Sequence, residues 1–264
     1  MKTIGSTIIM LALASSLFAD NGKELKLASP DGTHEIVFYQ KQVSPAVNEL
    51  CYRVDYKSQP VVNESRAGLE LDNRIWEMAL GVRNLKQPAC WMDNLEVDSV
   101  TYQPETNLTW QPLYGERSSV RDHYRAGTLC LSKKDNSGYR LNIEVRAYNE
   151  GVAFRYFFPE HPKAIFHKVV GDLTEYALPA GTKAWTEQWA QAFFERLNID
   201  DIKHPVERAL TFELPNGKWA ALADADVDDW CLTKYLVSTD KKNTLTSVMY
   251  SPVDVVTYYA TPWK

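Results

Sequence analysis

Residues 139–158 read YRLNIEVRAYNEGVAFRYFF, and their spacing decides the fold. Tyr139, Leu141, Ile143, Val145 and Ala147 alternate with Arg140, Asn142, Glu144 and Arg146. A period of two sets the apolar residues on one side of an extended chain and the polar ones on the other, giving a strand with one dry and one wet face. Asn149-Glu150-Gly151 then turns the chain into a second extended run, Val152 to Phe158, and Asp135-Asn136-Ser137-Gly138 turns it before the first. This is the pattern of a β-meander or Greek key.

The flanking sequence continues in the same manner. Upstream, Lys26 to Gly32 closes a short strand in a turn that Pro30 presets and Gly32 frees. Glu35 to Tyr39 resumes extended structure, Leu50 to Tyr56 alternates in part, and Ser58 to Val62 opens another connection. The cluster Ile75-Trp76 with Met78, Ala79 and Leu80 reads as a short helix or a loop covering a sheet. Downstream, Ala209 to Leu214 and Trp219 to Ala223 flank Pro215-Asn216-Gly217-Lys218. That is a hairpin, with Asn-Gly accepting the positive φ angles of a tight turn. Val248 to Lys264 reads as a strand pair, and the stretch from Ala184 to Arg196 fits either one helical turn or a long loop. Many short strands, frequent turn residues and no long helical period predict an all-β, antiparallel β-sandwich.

A chain of 264 residues with 45% apolar content can bury a large core, and for all-β architecture that length reads as one domain. A formal charge of −5 argues against nucleic acid, which would require a basic face. The 8 Trp and 14 Tyr outnumber the 9 Phe, so many rings carry a polar tip suited to strand packing or to stacking on sugar faces. Lys2, the apolar run Ile4 to Leu13, and the small residues up to Ala19 have the form of a secretory signal over residues 1–19. A domain then follows over residues 20–264, in the periplasm or secreted, with no membrane span after cleavage. Cys51, Cys90, Cys130 and Cys231 show no C-x-x-C spacing, which argues against zinc and thioredoxin-like chemistry and leaves disulfides and buried thiols both open. Asp224 to Asp229 imitates the start of an EF-hand loop, but Asp229 stands where that loop needs Gly and Tyr235 where it needs Glu.

The chemically densest stretch is Trp110 to Tyr124, WQPLYGERSSVRDHY. Gly115 and Ser118-Ser119 predict a turn, and Arg121-Asp122-His123-Tyr124 leads into a strand. The run is too polar for a core strand and too aromatic for an ordinary loop. It resembles a signature of the N-terminal domain of glycoside hydrolase family 97, calcium-dependent enzymes that cleave α-glucosidic or α-galactosidic bonds. Ser65-Arg66-Ala67-Gly68-Leu69-Glu70-Leu71, Arg146 to Tyr156, and Thr261-Pro262-Trp263-Lys264 match further blocks of that family in order and spacing.

The resemblance implies a mutarotase-like super-sandwich and several roles. Glu195, with Phe194 in place of the family's tyrosine, matches a calcium ligand on a loop that projects toward the catalytic barrel. Trp110, Tyr114, Glu116, Arg117, Arg121, Asp122, His123 and Trp185 match the substrate or interdomain rim. Ala223 and Asp224 replace a family His and Glu. Catalytic residues are expected on a TIM-barrel domain in cis or trans, not in this chain, and the substrate is expected to be an α-glucan or α-galactoside oligosaccharide. Two other readings compete. One is a free-standing carbohydrate-binding module using Trp185, Trp189 and Trp230. The other is a sugar-epimerising site drawing on His123, His167 and His204.

Overall fold

A computed structural model describes residues 23–45, 47–71, 95–133, 139–160, 167, 169–225, 227 and 230–249. The expected signal sequence, the Ile75–Leu80 cluster, the turn at 135–138, Cys90, three of the aspartates after Asp224 and the closing Thr261–Lys264 block lie outside them. Every ladder among the described residues is antiparallel. The only helical element among the described residues is a 3-10 turn, Ile199–Asp201.

The chain lays down its sheets in order. β1 (Glu24–Ala28), β2 (His34–Ser44), β3 (Val47–Tyr56) and β4 (Gln59–Arg66) form the first as a meander. After β5 (Leu69–Leu71), the second sheet is built from β6 (Leu95–Tyr102), β7 (Thr106–Trp110), β8 (Val120–Lys133), β9 (Arg140–Tyr148) and β10 (Gly151–Phe157). Its order is β10-β9-β8-β6, with β7 also on β8. β11 (Val169–Asp172) returns to pair with β5, and β12 (Glu175–Ala177) begins a sheet completed later. β13 (Lys183–Thr186), β14 (Glu195–Asn198), β15 (Leu210–Glu213) and β16 (Trp219–Leu222) form a further sheet in the order β14-β13-β15-β16. β17 (Thr233–Val237) and β18 (Thr244–Met249) then join β12.

The first two sheets face one another across the core, as a sandwich requires. Leu25, Ile36, Phe38, Leu50 and Tyr52 enter from one side, and Leu129, Leu131, Leu141, Ile143 and Val145 from the other, all nearly inaccessible to water. The alternation read in β9 holds: Leu141, Ile143, Val145 and Ala147 are buried while Arg140 and Arg146 are exposed. Glu144 takes an ion pair from Arg155 on β10 at 2.7 Å, so that arginine serves the scaffold's wet face. Side chains join the first sheet to β12. Ser65 Oγ accepts from the Ala177 amide at 2.8 Å, and Glu175 Oε2 from the Arg66 amide at 3.2 Å.

The turns differ from expectation in two places. At 214–218 only Gly217 takes a positive φ (78°), so Asn216 does not share the left-handed conformation. Leu214 and Gly217 close a turn at 2.9 Å, and Leu214 bonds Lys218 beyond it. The tight two-residue hairpin with two positive φ angles lies instead at Lys57 (51°) and Ser58 (59°), between β3 and β4. Pro60 is therefore inside β4 rather than in a connection. It is tolerated because, among the described residues, that strand has no ladder partner on its far side.

Candidate functional site

β7 and β8 pair from Thr106↔Tyr124 to Trp110↔Val120, and residues 111–119 form the loop beyond the last rung. Pro112 has no amide to extend the ladder, and Gly115 at φ 111° bends the backbone where a side chain would be strained. Leu113 and Tyr114 project almost completely into solvent, at 101% and 90% exposure. Trp110, Glu116 and Arg117 are exposed beside them. The loop tip is thus apolar and makes little packing of its own.

Strand alternation divides the remaining residues of this stretch between two faces. Trp110, Asp122 and Tyr124 share the outer face with Tyr148 and Arg146 of β9. There the Arg146 guanidinium lies 4.6 Å from the centre of the Tyr124 ring, and Tyr124 meets Tyr148 at 5.0 Å. An open groove of about 710 Å³ runs alongside, lined by Thr106, Leu108, Tyr124, Glu144 and Arg146 among others. Arg121 and His123 point to the other face, where Arg121 Nε donates to Asn107 at 3.0 Å.

His123 belongs to a clamp. Its Nε2 is 2.7 Å from Glu105 Oε1, and Arg125 Nε donates to Glu105 Oε2 at 2.9 Å. The same guanidinium reaches the carbonyls of Ser29 and Pro30 at 3.2 and 3.4 Å, on the β1–β2 turn of the first sheet. The bond from His123, then that from Arg125, holds the Glu105 carboxyl below its ordinary range. In that turn Asp31 accepts from Ser29 Oγ at 2.6 Å and from the Thr33 amide at 2.9 Å, which lowers its carboxyl to about 2.

The stretch from Ala184 to Arg196 resolves as β13, a loop over residues 187–194, and β14, so the long loop holds over the helical turn. Lys234, itself buried, fixes the base of that loop. It donates to the Gln188 carbonyl at 2.8 Å and pairs with Glu207 at 2.6 Å. Beyond the anchor, Trp189, Phe193 and Phe194 are exposed. Glu195 follows at the start of β14, opposite Thr186, with its side chain in solvent. No group of three metal-ligating side chains occurs among the described residues, and calcium takes six to eight oxygens. Glu195 is an exposed carboxylate, and the described residues do not complete a calcium site around it.

Trp185 stands on β13, in a different sheet from the β7–β8 hairpin. Trp230 packs partly against the core, which removes it from the set of free stacking faces. His167 stacks on Phe158 at 4.2 Å, His123 is in the clamp and His204 is exposed, each on a separate segment. Sequence reasoning missed Glu105 and Arg125, whose partners are distant in the chain. It also missed the outward placement of Trp219, which the hairpin alternation Trp219-Ala220-Ala221 could have shown.

Fold and loops together define an antiparallel β-sandwich domain that presents aromatic-tipped loops at its surface. Residues 27–264 match the family described as Glycosyl-hydrolase 97 N-terminal, and the chain belongs to that family. It is 23% identical over 263 residues to a retaining alpha-galactosidase of Bacteroides thetaiotaomicron, covering 93% of this chain and 35% of that protein. A glycoside hydrolase family 97 enzyme from Pseudoalteromonas sp. strain K8, solved with panose, superposes with a TM-score of 0.72. The identity is 22%, over 85% of this chain and 32% of that one. A beta-arabinopyranosidase crystal structure gives 0.69 at 16% identity, over 86% of this chain and 35% of that one. At these identities the structural likeness establishes a shared fold. The chain spans about a third of the length of each of these proteins.

Proposed function

We propose that this sandwich works as the N-terminal domain of an α-glycosidase acting on α-glucosides or α-galactosides. Its partner is a TIM-barrel catalytic domain, in cis or in trans, that lies outside these 264 residues and carries the acid and the base or nucleophile. The observation that carries this reading is the pair of loops, 111–119 and 187–194, whose exposed Leu113, Tyr114, Trp189, Phe193 and Phe194 are poised to be covered. Membership of a glycosyl-hydrolase N-terminal family supports a catalytic domain as the cover. Export to the periplasm or beyond, through the signal-like residues 1–19, belongs to the same proposal.

In this reading Trp110, Tyr114, Glu116, Arg117, Arg121 and Asp122 border the sugar-binding cleft. His123 positions β8 through Glu105 rather than touching substrate. Glu195 gives one carboxylate to a calcium ion whose other ligands come from the barrel. Such an ion, when bound, would supply fixed positive charge to the cleft. This chain's own residues narrow the cleft mouth and exclude water from it.

The test uses the intact native protein from its source. Its mass comes first: a species more than twice the 30.1 kDa of this chain is expected, carrying the barrel in cis. A complex of this chain with a separate barrel is the equivalent result in trans. Thermal unfolding with calcium and with a chelator follows, on the wild type and on Glu195→Gln. Calcium should raise the midpoint of the wild type and raise that of the variant much less. An equal response in both would remove Glu195 from the metal. Hydrolysis of aryl α-glycosides by residues 20–264 alone would overturn the assignment of the chemistry to a barrel. A second reading, a carbohydrate-binding module, is favoured by the exposed indoles of Trp185 and Trp189. Tryptophan fluorescence under oligosaccharide titration tests it, and no change at millimolar sugar would remove it.

A further inference from the structure

The outer face of the β14-β13-β15-β16 sheet carries an arrangement that the interdomain loops do not use. Trp185 lies opposite Arg196 on one side and Thr211 on the other, and Glu213 lies opposite both Lys183 and Trp219. Lys183, Trp185, Arg196, Glu213 and Trp219 therefore share one side of the sheet. The opposite side is the buried one, with Ala184, Thr186, Leu210 and Phe212 turned to the core. The Arg196 guanidinium crosses β13 to donate to the Glu213 carboxylate, so a charged pair sits between the two indoles. Trp185 is 39% exposed and Trp219 56%. The two Cα positions lie about 12 Å apart, two strand spacings across and two residues along.

The geometry points to this face as an oligosaccharide-binding platform separate from the cleft. The two indoles stack on the apolar faces of pyranose rings, and the Glu213 carboxylate on the strand between them, with the Arg196 guanidinium that reaches it across β13, offers acceptors and N–H donors to ring hydroxyls. The spacing suits several linked sugar units rather than one. A docked protein is the weaker occupant, because the centre of a protein interface is depleted of Lys and Glu, and here Glu213 lies on the strand between the two indoles with Lys183 beside it. The inference takes only the carbohydrate class from the reading above. Trp219 lies three strands from Glu195, so its failure leaves the calcium proposal standing, and the converse holds too.

Calorimetric titration of maltotetraose and of stachyose into the full protein tests the platform, with any barrel active site first blocked by a tight inhibitor. Binding of at least one sugar is expected. Trp219→Ala should weaken it about tenfold or more, as truncating a stacking anchor does. Glu213→Gln should weaken it less. Trp219 is exposed, so its variant should keep the wild-type unfolding midpoint, which separates lost binding from lost folding. Absence of wild-type binding to both sugars at 10-millimolar order (~10 mM, well above the weak-affinity range) would overturn the platform. So would undiminished binding by a Trp185→Ala, Trp219→Ala double variant.

Discussion

Phe38 of β2 and Phe154 of β10 meet edge to face across the two sheets, with centroids 5.1 Å apart and planes at 73°. Tyr52 of β3 completes the triangle at 5.3 Å from each. The three rings join the first sheet to the outermost strand of the second, and the Tyr52 hydroxyl continues to the Glu175 carbonyl at 2.7 Å. Phe154→Ala should therefore cost about 3 kcal/mol, the low end for a phenylalanine truncation because the ring is only partly buried. Urea unfolding measures it. A loss under about 1 kcal/mol would mean that the sheets cohere without this contact.

The Glu105 clamp links β8 to the β1–β2 turn, and its strength should depend on pH. The folded state holds the Glu105 carboxyl below its ordinary value, through His123 first and Arg125 second. Its contribution is thus complete above the unfolded value, about 4.3, and fades as pH falls through the folded one. Glu105→Gln should lower the unfolding midpoint at pH 7, and the gap from wild type should close in acid. A gap that stayed constant with pH would show that the side chain acts through packing alone.

Asp31 behaves in the same sense over a lower range. Its bonds from Ser29 and Thr33 set its carboxyl at about 2 against an ordinary 3.8. The wild type should keep the benefit above the ordinary value and lose it between 3.8 and about 2. Asp31→Asn should therefore show a deficit that persists at pH values where that of Glu105→Gln has begun to shrink. Thermal scans of both variants on one acid series distinguish the two. The opposite order would contradict the hydrogen bonds assigned to the turn.

How much of this was legible depended on the range of the interaction. The β9 alternation and the turn at Asn149-Glu150 are local, and both stand as read. Lys57-Ser58 carries no glycine or asparagine, so the tight hairpin there left no local signal; the pairing of β3 with β4 imposes it. The stretch 110–124 was recognisable as a unit, but its division into two faces follows from the pairing of β7 with β8. Arg125 could not be tied to Ser29 and Pro30 from sequence, because that contact exists only once the sheets face each other. Trp219 was readable in principle: alternation about a known turn shows which residues face outward, though not that the face is left uncovered.

The loop over residues 111–119 gives the sharpest separation of folding from function. Leu113 and Tyr114 are almost completely exposed, so removing their apolar groups takes away no packing within the sandwich. Leu113→Ser with Tyr114→Ser should change stability by no more than about 0.5 kcal/mol. If a barrel covers this tip, the same pair of changes removes apolar contacts from the interface. The complete enzyme should then lose hydrolytic efficiency, or the two domains should separate more readily in denaturant. Calorimetry of the sandwich and steady-state kinetics of the complete enzyme read the two effects independently. A destabilised sandwich would show that the loop packs at home, and unchanged kinetics and domain coupling would place the barrel on another face, with the 187–194 loop the next to test.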